Sequence, residues 1–235
     1  MEKMTLLITG SKGLLGTELK KHIKEAIWLD IDEMNICDKD AVKTTFKKYR
    51  PDVVLHLAAY TDVAAAEYKV VECYKTNVEA TLELAKRSPM FIYMSTEYVF
   101  DGEKGNYHEG AVPNPVNFYS LTKLLGEFEA KKARRYSIIR TLFKPRPFEH
   151  EYVATDMWTS GDYVDVIAKK IALAVENVRT LPTIVNIGTD KKNLFEMAKE
   201  TRPDVKPIKR ISLPIRLPRD TSLDTTLWRM LRYEE

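Results

Sequence analysis

A tyrosine and a lysine stand four residues apart in Asn117-Phe118-Tyr119-Ser120-Leu121-Thr122-Lys123, a spacing that puts both on one side of a helical turn. A phenol titrating near about 10 is a poor acid-base group at neutral pH, but a nearby ammonium and an oxidised nicotinamide favour its phenolate. Such a tyrosine can exchange a proton with a carbonyl or alcohol during hydride transfer. A dinucleotide site to go with it is offered by Thr9-Gly10-Ser11-Lys12-Gly13-Leu14-Leu15-Gly16. Glycine permits a tight turn and close backbone approach to a pyrophosphate, and a helix opening there offers free N–H groups. Asp30, after Trp28-Leu29, is placed to accept from adenosine ribose hydroxyls, which favours NAD, whereas Lys12 could answer a 2′-phosphate. The cofactor expected is therefore NADH or NADPH. In Met94-Ser95-Thr96-Glu97-Tyr98 a hydroxyl at a strand end can hold the substrate oxygen beside Tyr119; Thr96 is chosen, with Ser95 as competitor, because adjacent strand residues face opposite ways.

Elements that could position these groups recur along the 235 residues. Short apolar runs at Leu6–Thr9, Ile27–Leu29, Val53–Leu57, Phe91–Met94, Ile138–Thr141 and Ile184–Ile187 predict strands. Between them, Leu14–Ile23, Ala41–Tyr49, Val78–Ala85, Leu121–Ala130 and Val164–Val175 carry helical spacing, as does Asp224–Leu231 near the end. This alternation predicts an α/β fold, a Rossmann-type doubly wound parallel sheet covered on both faces. Two irregular stretches, Phe143–Phe148 with Lys144-Pro145-Arg146-Pro147 and the later run holding Pro203, Pro207, Pro214 and Pro218, are expected to face substrate. The expected division is a dinucleotide-binding domain over 1–142, completed by about 160–187, and a small C-terminal substrate-binding lobe from 143–159 and 188–235.

Composition removes other classes. Lys and Arg outnumber Asp and Glu by 37 to 34 with both signs interspersed, so no nucleic-acid partner is expected. No apolar run reaches the length of a membrane span, and the N-terminal one is too short for a signal peptide. Cys37 and Cys73 lie far apart and the four histidines are scattered, so no metal is expected and reduced thiols in the cytoplasm are.

With these residues in place, the chain resembles the extended short-chain dehydrogenases and, within them, the dTDP-4-dehydrorhamnose reductase family. The similarity runs through the glycine turn, Pro51-Asp52-Val53-Val54-Leu55-His56-Leu57-Ala58-Ala59-Tyr60-Thr61-Asp62-Val63, Asn77-Val78-Glu79-Ala80-Thr81, Ser95-Thr96-Glu97-Tyr98-Val99-Phe100-Asp101-Gly102, Tyr119-Ser120-Leu121-Thr122-Lys123-Leu124-Leu125-Gly126-Glu127 and Asp220-Thr221-Ser222-Leu223-Asp224. It implies that Tyr119 donates the proton, Lys123 binds the nicotinamide ribose and lowers the tyrosine pKa, and Thr96 orients a sugar ketone. It also implies Gly10, Gly13, Leu14, Leu15 and Gly16 at the pyrophosphate, Asp30, Asn35 and Ile36 near the adenosine, and Ala58, Ala59 and Thr61 along the inner half of the cofactor. Glu97 and Phe143 join Thr96 as substrate-binding candidates. Where sugar-nucleotide dehydratases carry Thr-Asp-Glu, this chain has Thr96-Glu97-Tyr98; the second acid is missing, so reduction is expected rather than water elimination.

Two departures concern the substrate. The chain is shorter than the usual reductase after Thr141, and Arg140-Thr141-Leu142-Phe143 stands where the family often has Arg-Thr-Ser-Trp. The implied activity is reduction of a keto group on a deoxysugar nucleotide, with a homodimer allowed. A nucleotide-sugar epimerase and a non-catalytic dinucleotide-binding regulatory subunit are the alternatives.

Overall fold

The computed structural model describes residues 4–231 and 233. Its centre is a six-stranded, wholly parallel sheet built from β1 (Leu6–Thr9), β2 (Ile27–Leu29), β3 (Val53–His56), β4 (Met90–Met94), β5 (Arg135–Arg140) and a sixth strand, Ile184–Asn186. From one edge the order is the sixth strand, β5, β4, β3, β1 and β2. The chain therefore leaves β1 for one side and returns on the other, and the sheet's switch point lies between the carboxyl ends of β1 and β3. Ligands of open parallel sheets collect at such a crevice.

Strand alternation sorts side chains into two cores. Ile8, Val53, Leu55, Met90, Ile92, Met94 and Ile139 face one layer, packed on helices Leu14–Leu19 and Val164–Glu176. Leu7, Val54, Phe91, Tyr93 and Ile138 face the other, under helices Lys39–Tyr49, Ala80–Arg87 and Phe118–Ala130. This period of two, repeated through four central strands, makes the sheet doubly wound, as the sequence predicts.

Helix boundaries differ from the periodicity where caps and turns intervene. The first helix stops at Leu19 because Lys21 N and His22 N bond back three residues, to Glu18 O and Leu19 O, in a tight terminal turn. Asp38 accepts from Asp40 N and Ala41 N, so the second helix starts earlier than its apolar stripe. Asn117 accepts from Ser120 N at 2.9 Å and starts the next helix at Phe118, which brings Tyr119 into its first turn.

The segments 143–159 and 188–235 meet in a separate apolar cluster: Phe148, Val153, Ala154 and Met157 from the first, Leu194, Met197, Ala198 and Val205 from the second. Lys206–Ile208 pairs in parallel with Tyr152–Ala154, and Lys192–Asn193 pairs antiparallel with Trp158–Thr159. The last stretch then leaves this cluster. Leu223 packs with Val99, Phe100 and Tyr107, and Trp228, on the helix Thr226–Met230, enters the core of the main sheet. Among the described residues no helix is long and apolar enough to cross a membrane.

Candidate active site

The turn after β1 is set by backbone crowding. Gly10 has φ +71°, and a Cβ there would fall 2.6 Å from Ala58 N; one on Gly16 would fall 2.4 Å from Gly10 O. The bare turn thus lies directly against the strand end of β3 and leaves the ground above Gly13 open. Thr9 joins the two strands from below, its hydroxyl 2.8 Å from His56 Nδ1 and accepting from Ala58 N. His56, with Thr81 on its other nitrogen, is held to about 3 by burial and the Lys123 charge, so it stays neutral.

A continuous cleft of about 970 Å³ runs from this turn to the lobe. Gly10, Gly13, Leu14, Leu15, Gly16, Asp30, Asn35, Ile36, Ala58, Ala59, Thr61 and Phe143 all line it. Asp30 lines the cleft, with Oδ2 accepting from Lys12 N at 2.7 Å and Oδ1 from Ile31 N at 2.9 Å. The Lys12 ammonium is bonded to Asp32, with Glu33 Oε1 at 3.6 Å. Cys37 also lines the cleft, and Cys73 is buried.

Tyr119 and Thr96 are neighbours, Lys123 follows Tyr119 by one turn of the helix Phe118–Ala130, and Met94 and Tyr98, next to them, line the cleft. Burial pushes the Tyr119 phenol up to about 12, against the pull of the neighbouring Thr96 hydroxyl. Lys123 Nζ donates to Met94 O at 2.6 Å and lies 4.3 Å from the centre of the Tyr93 ring; burial lowers it to about 7, opposed by Glu127. Burial sets the direction for the phenol, and Lys123 is not among the groups that shift it here.

The choice between Ser95 and Thr96 is settled by a buried ion pair. Ser95 Oγ donates to Glu127 Oε1 at 2.6 Å, and Arg140 grips the same carboxylate through Nε at 2.9 Å and NH2 at 2.8 Å. Ser95 is thus consumed on the far side of the strand, and Thr96 faces the tyrosine. Glu97, expected to touch substrate, is fully buried, accepts from Thr221 Oγ1 at 2.5 Å, and is raised by burial to about 7.

Sequence reasoning missed Asn77. Its Oδ1 accepts from Tyr60 N at 2.8 Å, and its Nδ2 donates to Tyr60 O and Thr122 Oγ1, tying the loop after β3 to the helix that carries Tyr119. It lies in a π-helical segment, Lys75–Glu79, a local irregularity common at functional sites. A buried asparagine within an otherwise helical run was the available signal. Lys144, Glu149 and His150, on the lobe side of the cleft, were likewise not singled out. Among the described residues no three His, Cys, Asp or Glu side chains gather as a metal site.

The sequence matches the RmlD substrate binding domain family over residues 4–168. It is 32% identical over 182 residues to dTDP-4-dehydrorhamnose reductase from Aggregatibacter actinomycetemcomitans, covering 73% of this chain and 57% of that protein. It is 35% identical over 137 residues to methionine adenosyltransferase 2 subunit beta from Danio rerio, covering 53% and 42% respectively. The chain spans about half the length of these curated relatives. In fold it is similar to the dTDP-4-dehydrorhamnose reductase of Bacillus anthracis, solved in complex with NADP, with a TM-score of 0.84 at 24% identity over 99% of this chain and 93% of that one.

Proposed function

The chain belongs to the RmlD substrate binding domain family, and on that premise we propose that it catalyses NAD(P)H-dependent reduction of a keto group on a deoxysugar nucleotide. The observation that carries this reading is the placement of Tyr119 beside Thr96, with Lys123 one helix turn on, next to a cleft that also holds the bare glycine turn. The cleft fits a dinucleotide: Cβ atoms on Gly10 or Gly16 would strike backbone, so the turn holds its shape, and N–H groups at the start of the following helix would meet the anionic oxygens of a bound pyrophosphate. Gly13, Leu14 and Leu15 would hold the pyrophosphate, Asp30 the adenosine ribose, and Ala58, Ala59 and Thr61 the inner half. When bound, the nicotinamide supplies the hydride.

The residues of the chain handle the proton. Tyr119, protonated at neutral pH, gives its phenolic proton to the oxygen of the ketone as that oxygen gains negative charge. Thr96, the neighbour of the phenol, donates to or steadies the same oxygen. Lys123, once bound to a ribose hydroxyl and drawn towards its charged form, stabilises the phenolate left behind. Phe143 offers an apolar platform at the sugar end. In domain terms, residues 1–142 with about 160–187 serve the cofactor, and 143–159 with 188–235 serve the substrate, the final helix returning to brace the sheet.

The two free thiols suit a cytoplasmic setting, and a homodimer would cover Val71, Tyr74 and Phe128, exposed on two packed helices. The test is loss of NADH or NADPH absorbance with purified protein and freshly generated dTDP-4-keto-6-deoxysugar. Stoichiometric consumption supports the reductase, and sugar interconversion with no net consumption supports an epimerase. The matches to methionine adenosyltransferase 2 subunit beta favour a second reading, a dinucleotide-binding subunit that docks on another enzyme; it predicts dinucleotide binding without turnover.

A further inference from the structure

A second cavity, of about 740 Å³, opens at the end of the sheet opposite the glycine turn. Val53, Met90 and Arg135, the first residues of β3, β4 and β5, line it, whereas the cofactor cleft lies at the carboxyl ends of the strands. At the usual rise per strand residue, roughly 10 to 17 Å of sheet separates the two. Arg134, Arg135 and Arg179 lie at the exposed rim of this cavity, and the buried side chains of Val53, Met90 and Val178 form its floor.

The arginines are brought together by the fold. Arg135 N donates to Pro89 O at 3.1 Å, and the residue stands in register opposite Met90. Its NH2 donates to Arg179 O at 3.1 Å, which draws the turn after the helix Val164–Glu176 against the start of β5 from 44 residues away. Ser137 Oγ closes the same seam, donating to Pro182 O at 2.6 Å. Among the described residues no carboxylate lies within ion-pair distance of these three guanidinium groups, whereas Arg87, Arg140, Arg146, Arg202 and Arg229 each meet one. Asp52 also lines the cavity, with Oδ2 accepting from Thr5 N at 2.8 Å. Helix dipoles account for Lys131 and Lys132, which directly follow the helix Phe118–Ala130, but that field fades beyond the last turn and Arg135 already belongs to β5. The rim is left with clustered positive charge above an apolar floor.

We propose that this cavity is a second anion site, which takes the polyphosphate chain of a small molecule, either free or carried by a nucleotide. Guanidinium forks match phosphoryl oxygens two at a time and are weakly hydrated, so they give up water to an anion more readily than ammonium groups do. The buried floor receives an apolar portion of the ligand. Because the site lies at the amino ends of the strands, it fills independently of the cofactor, and it holds whichever substrate the opposite cleft takes.

Calorimetric titration of tripolyphosphate, and in a parallel arm of ATP, into protein saturated with NADH tests this. The wild type should bind tripolyphosphate with NADH still in place. Arg135→Gln combined with Arg179→Gln should weaken that binding at least about tenfold, the worth of a lost charge-assisted contact. NADH affinity within about twofold of wild type shows that this variant has folded. Lys131→Gln combined with Lys132→Gln removes the same charge outside the cavity and should weaken tripolyphosphate less than about threefold, since screened charges act weakly at a distance. ATP bound more tightly than tripolyphosphate identifies a nucleotide as the source of the phosphates, and ATP bound equally or less tightly identifies the free chain; both uphold the site. Wild-type binding weaker than about 1 mM, equal losses in the two double variants, or displacement of tripolyphosphate by NADH would each overturn the proposal.

Discussion

Arg140→Met should destabilise the protein by about 3–5 kcal/mol, a large fraction of the total for a domain of this kind. Both members of the Arg140–Glu127 pair are 3% exposed. The arginine makes two bonds to the carboxylate and a third, from NH1, to Glu109 O at 3.1 Å. Methionine keeps much of the aliphatic stem but leaves the buried Glu127 carboxylate without its cation and with the Ser95 hydroxyl as its remaining hydrogen-bond partner, and a buried ion stripped of its partner costs more than the pair itself was worth. The damage should be local to the active site's support, since Ser95 directly follows β4, Arg140 ends β5, and Glu127 lies one turn beyond Lys123. Urea unfolding followed by circular dichroism measures the loss. The double variant Arg140→Met with Glu127→Leu should recover about 2 kcal/mol or more relative to Arg140→Met, because no charge is then stranded. A single variant costing less than about 1 kcal/mol, or a double variant worse than the single, would refute the stranded-charge reasoning.

Three further outcomes follow from the same geometry. Glu97, ordinarily near 4.5 and held near 7 when folded, binds more protons in the native state between those values, so its contribution to stability falls as pH rises from about 4.5 to 7. Glu97→Gln should lack this fall, gaining on the order of 3 kcal/mol over wild type at pH 8 relative to pH 4 in paired urea titrations; parallel pH profiles would contradict it. At the adenosine end, Asp30, Asp32 and Glu33 surround a Lys12 already bonded to acids, so NADH should bind about tenfold or more tightly than NADPH, and Asp30→Ser should narrow the ratio. Fluorescence titration giving equal or tighter NADPH binding in the wild type would defeat that assignment. Gly16→Ala drives a Cβ to 2.4 Å from Gly10 O and should weaken dinucleotide binding more than about tenfold in the same titration; undiminished affinity would show that the turn does not hold the cofactor.

The sheet could be read from the sequence because its strands are short, apolar and separated by helical spacing, and all six form where those runs lie. The glycine turn and Tyr119–Lys123 were visible for the same reason: their chemistry is local in sequence. What stayed hidden depends on distant partners. Ser95 and Thr96 could not be separated until Glu127, 32 residues away, claimed the serine. Glu97 looked available to substrate until Thr221 appeared 124 residues further on. The run Lys144-Pro145-Arg146-Pro147 could be read as irregular and substrate-facing, but that Lys144 shares a cleft with the distant Leu213 and Leu217 depends on the fold. The state of the Tyr119 phenol was also out of reach, because burial sets it and spacing does not.

The central claim, that Tyr119 is the proton donor of a nucleotide-sugar reductase, is tested most directly by Tyr119→Phe in single-turnover oxidation of NADH or NADPH with a dTDP-4-keto-6-deoxysugar. The account predicts a rate lowered by about 10²- to 10⁴-fold, with dinucleotide affinity within about twofold of wild type. A Tyr119→Phe variant that turns over as fast as the wild type would contradict it.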